Sequence, residues 1–171
     1  SGNPVFSADG EFTGYRGTGR DITVEIEAKE LSTRVQERFL KAMDLSEEGL
    51  VFFDSDERIV LINQTFLDGA VLDPKYWTPG ASYEDLLRKM VEEGVFNDQH
   101  ENRPEEWIEN CLARFRANSG PFEFQLADGR WRRVHYERLQ DGSTIARYLD
   151  ITASRQREET LRQAQKMEAV G

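Results

Sequence analysis

The side chains in this chain best suited to forming a covalent or metal bond are one cysteine and two histidines: Cys111, His100 and His135. A histidine exposed on a long helix can accept a phosphoryl group at a ring nitrogen. His100 opens the string HENRP, but the preceding FND reads as a loop and Pro104 opens the next helix, so a surface-loop histidine is the reading taken. Cys111 lies in NCLARF, on what reads as an apolar helix face, where a thiol is most simply a small core residue. A lone cysteine rules out an internal disulfide and a multi-cysteine metal site. His135, in RWRRVHYERL, reads as a polar residue on a half-exposed strand. The acidic string DSDE (Asp54 to Glu57) lacks the glycine and the distal glutamate of a calcium loop and reads as a solvated turn. No catalytic residue and no metal site is expected.

Charge narrows the partners. With 22 Lys and Arg against 32 Asp and Glu, the net charge is −10. Phosphate backbones and anionic lipid need clustered cations, so neither nucleic acid nor an anionic membrane surface is an expected partner. A length of 171 residues suits one domain with a proper core and is short for two. Hydrophobic residues make up 38%, enough to fold. No apolar run approaches the ~20 residues that span a bilayer, and no signal peptide is visible. A cytoplasmic setting is expected, with room for a membrane anchor upstream. The chain starts SGNPVF, without Met, and stops at KMEAVG inside a helical pattern, so both ends read as cut from something longer.

The elements that must position these residues are punctuated by Gly, Pro and Asn. NPVFSADGEFTGYRGTGRDIT reads as a hairpin, with Val5 and Phe6 before its DG turn and Phe12 and Tyr15 after it. Two strands are marginal alone, so the hairpin reads as the tail of a sheet. From Val24 to about Leu45 there is neither Gly nor Pro. Val24, Ala28, Leu31, Val35, Ala42 and Leu45 recur in steps of four and three, a heptad-like seam interrupted by Arg38. Leu50 to Phe53 and Ile59 to Ile62 read as strands around the DSDE turn. Asn63 is placed to cap a short helix, QTFLDGA. Ser82 and Asp85 have capping-box spacing before Leu86, Leu87, Met90 and Val91, and Gly94 stops that helix. Pro104 suits the first turn of the next helix, whose apolar face is Trp107, Ile108, Cys111, Leu112 and Phe115. Three strands joined by two DG turns follow. Phe122, Phe124 and Leu126 alternate cleanly, whereas RWRRVHYERL alternates too poorly to show its inward face. A polar helix follows Thr152. Strands split around a helical middle give an α+β fold with one antiparallel sheet and helices on one face.

The strings GLVFFDSDERIVLINQTF and LADGRWRRVHYERLQDGSTIARYLDIT resemble the opening and closing strands of a PAS domain, a sensory module of bacterial signalling proteins. LLRKMVEEGVF and WIENCLARFRANSGPFEFQLADGRW resemble a PAS subgroup common in bacterial sensor kinases. The resemblance covers roughly residues 38 to 152 and implies a five-stranded antiparallel sheet flanked by long N- and C-terminal helices. DIT resembles the family's exit from the final strand into the output helix. It occurs at Asp21 to Thr23 and again at Asp150 to Thr152, an interval of one linker helix plus one domain, as a tandem array requires. The implied organisation is residues 1–23 as the terminal hairpin of a preceding PAS domain, 24–45 as a coiled-coil-like linker helix, 46–152 as the PAS domain and 153–171 as an output helix. LRQAQKMEAVG is similar to the start of a sensor histidine kinase's dimerisation helix, cut before the phosphoacceptor.

The resemblance implies a sensory segment of a two-component histidine kinase. The chain itself is not expected to be an enzyme; ATP-dependent phosphotransfer belongs to the parent. Asp150, Ile151 and Thr152 are the signal junction, with Asp150 anchoring the strand end and Thr152 capping the helix. Ligand-pocket candidates are some of Phe52, Leu61, Phe66, Leu86, Met90, Ile108, Cys111, Phe124 and Ile145, mostly large and apolar, so a small or filled cavity is expected. NCLARF resembles the flavin-binding motif of light-sensing PAS domains but sits in the last helix instead of early in the helical middle, and RWRRVHYERL contains no Asn or Gln to hold a flavin. Haem-binding members usually ligate from the long helix, and residues 104–118 contain no histidine. No cofactor is therefore expected, neither haem nor flavin, and a small organic molecule is the ligand class the pocket would take. Expected partners are a second copy through the Val24–Leu45 seam, the upstream PAS domain, the downstream kinase core and, through that core alone, a response regulator. The competing readings are a ligand-free relay module that only dimerises, and a PAS segment feeding a cyclic-dinucleotide enzyme.

Overall fold

The computed structural model describes residues 2–17, 23–96 and 103–170, so Asp21, Ile22 and His100 lie outside the described residues. The chain divides into two units, Ser1–Leu40 and Lys41–Gly171.

In the first unit, β1 (Gly2–Phe6) pairs antiparallel with β2 (Phe12–Gly17). Gly10, at φ 82°, turns the chain between them, a conformation only glycine adopts without strain. Phe6, Phe12 and Tyr15 stack edge to face on the hairpin, and all three rings are exposed. The Gly- and Pro-free stretch forms α1 (Thr23–Asp44). Leu45, the last residue of the seam read from sequence, falls one residue beyond it.

The second unit holds a five-stranded antiparallel sheet in the order β4-β3-β7-β6-β5. Its strands are β3 (Gly49–Phe53), β4 (Ile59–Ile62), β5 (Phe122–Gln125), β6 (Trp131–Arg138) and β7 (Thr144–Asp150). Helices α2 (Gln64–Gly69), α3 (Tyr83–Glu92) and α4 (Pro104–Ala117) cover one face. Helix α5 (Thr152–Val170) leaves the end of β7 and is exposed along its length. Among the described residues, no helix is long and apolar enough to cross a membrane.

Period-two alternation decides what the sheet buries. Val51 and Phe53, Val134 and Tyr136, and Ala146 point to the helical side and are almost fully buried. They meet Leu86 and Leu87 of α3 and Ile108, Leu112 and Phe115 of α4. Tyr83, Phe53, Phe115 and Tyr136 form an aromatic cluster in which the Tyr83 and Tyr136 hydroxyls share a hydrogen bond of 2.5 Å. Gly49 lets α2 lie against β3, because a Cβ there would come within 2.9 Å of the Phe66 Cα. Outside the core, Arg116 at the end of α4 clasps Glu57 of the β3–β4 turn as a bidentate pair, with Nε–H and Nη2–H donating to its two carboxylate oxygens. Partial burial opposes ionisation of Glu57, but the bonds from Arg116 outweigh it and hold the carboxyl below its usual range.

One capping expectation needs correction. Ser82 is the N-cap of α3, but its hydroxyl makes no capping bond. Its backbone is instead used in an isolated bridge to Arg58 that docks the helix start on the β3–β4 hairpin. Helix α4 is closed by its C-cap Asn118, which takes the left-handed conformation.

Candidate functional site: a core cavity and the strand-to-helix junction

Between the sheet and the helical layer lies a small cavity of about 50 Å³, walled by Phe66, Trp77, Met90, Phe124, Tyr148 and Arg132 among others. Phe66 anchors it, with its ring 4.5 Å from Trp77 and 4.9 Å from Tyr148, both edge to face. Arg132 is the unexpected member. Its cross-strand partner Phe124 faces the core, so Arg132 does too, in step with Val134 and Tyr136. The guanidinium donates to the Gly69 carbonyl at the end of α2. Burial pulls its pKa below the usual arginine value, against the favourable charge of Asp150. Trp77 is 4% exposed, and its Nε1–H has no acceptor among the described residues.

The candidates read from sequence divide between the two faces of the sheet. Phe66, Leu86, Met90, Ile108 and Cys111 belong to the buried core, and Phe124 packs against it. Of these, Phe66, Met90 and Phe124 line the cavity. Phe52, Leu61 and Ile145 lie elsewhere: Phe52 pairs with Leu61 on one side and Ile145 on the other, and this row occupies the face away from the helices. The strand LVFF is apolar on both faces, so its alternation cannot be read from composition; Val51 and Phe53 take the core instead. Arg132 and Trp77 were missed. The DG turn held the signal for Arg132, since pairing backwards from it sets Phe124 against Arg132.

The second part of the site is the exit from β7. Ile151 is buried, and its N–H bonds to the Trp131 carbonyl at 3.0 Å. The Trp131 N–H donates in turn to the Thr152 hydroxyl at 2.9 Å. Asp150 Oδ1 accepts from the Thr152 N–H at 3.0 Å. The roles read from sequence are thus exchanged: Asp150 satisfies the first amide of α5, while Thr152 satisfies the first amide of β6. Burial works against the Asp150 carboxylate, but the Thr152 hydrogen bonds and the Arg132 and Arg130 charges hold its pKa below the usual range. One turn on, Arg155 lies over the Trp131 ring at 3.8 Å and bonds Glu123 of β5, which also holds Arg133.

The reactive residues sit apart from both places. Burial pushes the Cys111 thiol up to about 12, so it is protonated at neutral pH. His135 is on the outward face of β6 beside Arg147. Among the described residues, no group of three His, Cys, Asp or Glu side chains could hold a metal ion. The seam positions Val24, Ala28, Leu31, Val35, Ala42 and Leu45 are all exposed.

A five-stranded antiparallel sheet, helices on one face and a final strand that runs straight into an exposed helix together define a PAS domain. Residues 43–159 match the PAS fold family, and the chain belongs to it. A curated relative, the "Non-motile and phage-resistance protein" of Caulobacter vibrioides, is 25% identical over 146 residues. That match takes in 85% of this chain but 16% of the relative, so the chain spans a small part of that protein's length. Among solved structures, the PAS domain of Bordetella pertussis BvgS is 18% identical at a TM-score of 0.45, covering 81% of this chain and 99% of that one. The PAS domain of an HTR-like protein from Haloarcula marismortui gives 18% and 0.45, over 73% and 98%. A sensory box sensor histidine kinase from Vibrio cholerae gives 16% and 0.37, over 75% and 98%.

Proposed function

We propose that this chain is the sensory and transmitting segment of a two-component sensor histidine kinase, set in a tandem array of PAS domains. The observation that carries the reading is the junction. Thr152, the first residue of α5, and Ile151 just before it are hydrogen-bonded to the first residue of β6, so a shift of the central strands moves the helix with them. A ligand or partner domain that favours one sheet arrangement thereby biases α5, which repositions the kinase core. The chain itself carries no catalysis; phosphotransfer from ATP belongs to the kinase core of the longer, cytoplasmic polypeptide. It works as a homodimer through α1, with β1 and β2 as the last hairpin of the upstream PAS domain, and reaches a response regulator only through the kinase. A cavity of about 50 Å³ also favours a second reading, a ligand-free domain that dimerises and relays strain from upstream.

The test joins the chain through α5, in heptad register, to a kinase core. D150A and T152A should each change autophosphorylation at least about threefold, the effect of weakening a junction hydrogen bond worth ~1 kcal/mol. Unchanged autophosphorylation in both folded variants overturns the relay.

A further inference from the structure

The cavity under the sheet is walled by apolar rings, yet two of its lining side chains are hydrogen-bond donors. Arg132 brings a charge to the core side of β6, where it donates to the Gly69 carbonyl and makes no ion pair among the described residues. Trp77, another wall residue, carries a buried indole N–H without an acceptor among the described residues. Among the described residues, no carboxylate lines the cavity. A half-buried guanidinium and an orphaned N–H are both stabilised by a ligand that supplies acceptor oxygens and a negative charge. Volume limits its size: a water needs roughly 10–15 Å³ measured in this way. The cavity of about 50 Å³ therefore holds three to five heavy atoms, flanked by Phe66, Met90 and Phe124.

We propose that this cavity binds a short-chain monocarboxylate of the size of acetate or propionate. The carboxylate engages the Arg132 guanidinium and the Trp77 Nε1–H, and the alkyl end packs on the rings. The proposal rests on the sensory reading above and names its input. It also supplies a path outward. Arg132 pairs across β6–β7 with Asp150, and its positive charge helps keep Asp150 ionised. An anion on Arg132 weakens that help at the carboxylate holding the first amide of α5.

The experiment titrates the chain with sodium acetate and sodium propionate, following the Trp77 indole N–H resonance and the heat of binding at constant ionic strength. Acetamide serves as the neutral isostere, and sodium chloride as the control for a diffuse anion effect. Saturable acetate binding is expected, with acetamide, R132Q and W77F each at least about tenfold weaker, the loss of one charge-assisted hydrogen bond. The acetate–acetamide comparison uses the unaltered protein, so a variant that fails to fold leaves the test intact. No saturable shift up to about 50 mM acetate (a Kd too weak for a specific site), or equal binding of acetamide, overturns the proposal. Its failure is separable from failure of the relay. Absent binding with junction variants that still alter autophosphorylation removes the ligand alone. Tight binding with inert junction variants removes the relay alone.

Discussion

Asn63 shows how much one side chain carries in this fold. It is 1% exposed, and all of its hydrogen-bonding groups are used. Its Oδ1 accepts from the N–H groups of Leu50 and Phe66, while its Nδ2 donates to the carbonyls of Met43 and Glu48. The amide thus fastens the last turn of α1, the entry to β3 and the start of α2 to one point. Sequence reading found only the cap. Asn63→Ala strands two donors and two acceptors, one of each buried and the others part-buried, and should destabilise the second unit by about 3 kcal/mol, since each unmet group costs about 1–3 and water recovers part. Asn63→Asp keeps the acceptor side but sets a carboxylate against two carbonyl oxygens, so it should fail to rescue. Urea denaturation followed by tryptophan fluorescence measures both; an Asp variant as stable as the native protein would show that the two carbonyl contacts contribute nothing.

At the scale of elements, helix α5 is held to the sheet by polar contacts and by Trp131 more than by buried apolar area. Glu123 stands between Arg155 and Arg133, whose bonds hold its carboxyl below the usual glutamate value of 4.5. A carboxylate with a lowered folded pKa adds stability that is complete above 4.5 and fades as pH falls through the folded value. Asp150 acts in the same sense from its usual 3.8. The start of α5 should therefore stay fixed from pH 7 down to about 5 and loosen below 4.5. Because Glu123 is largely solvated, the effect stays local and barely shifts the global midpoint. Hydrogen exchange of residues 152–156, corrected for intrinsic rates, should show faster opening at low pH, and E123Q should show that opening already at pH 7. Equal protection in E123Q and the native chain would sever Glu123 from the junction. The strands and helices themselves were legible in the sequence, because Gly and Pro punctuate them and α4 has a clear apolar stripe. The faces of β3 and β6 were not. LVFF is apolar on both sides, and RWRRVHYERL is polar on both, so register rather than composition chose Val51 over Phe52 and pointed Arg132 inward. Trp77 was illegible for another reason: it lies just past a short 3-10 turn, Pro74–Tyr76, with no periodicity to read.

For the whole molecule, the open question is what covers α1. Helical periodicity puts Val24, Ala28, Leu31, Val35 and Ala42 on one side, and all are exposed. Leu31 and Val35 are 64% and 57% exposed, the middle of that stripe. Ile26 and Leu40 fall on the opposite side, so apolar character alone does not select the seam. What selects it is the spacing of four and three, which brings the same residues together in a parallel pair of identical helices, with charged neighbours on the flanks. Arg38 interrupts the series and should make the association moderate. A second copy packed on this stripe buries Leu31 against its counterpart. Replacing Leu31 and Val35 with Glu then places like charges face to face, at about 3–5 kcal/mol for each charge left buried and unpaired. The double variant should be a monomer by light scattering at concentrations where the native chain is a dimer. Its second unit should keep the native urea midpoint, because neither residue belongs to that core. A native chain that is monomeric at high concentration, or a double variant that still dimerises, rejects the seam; in the latter case I26E with L40E tests the opposite face.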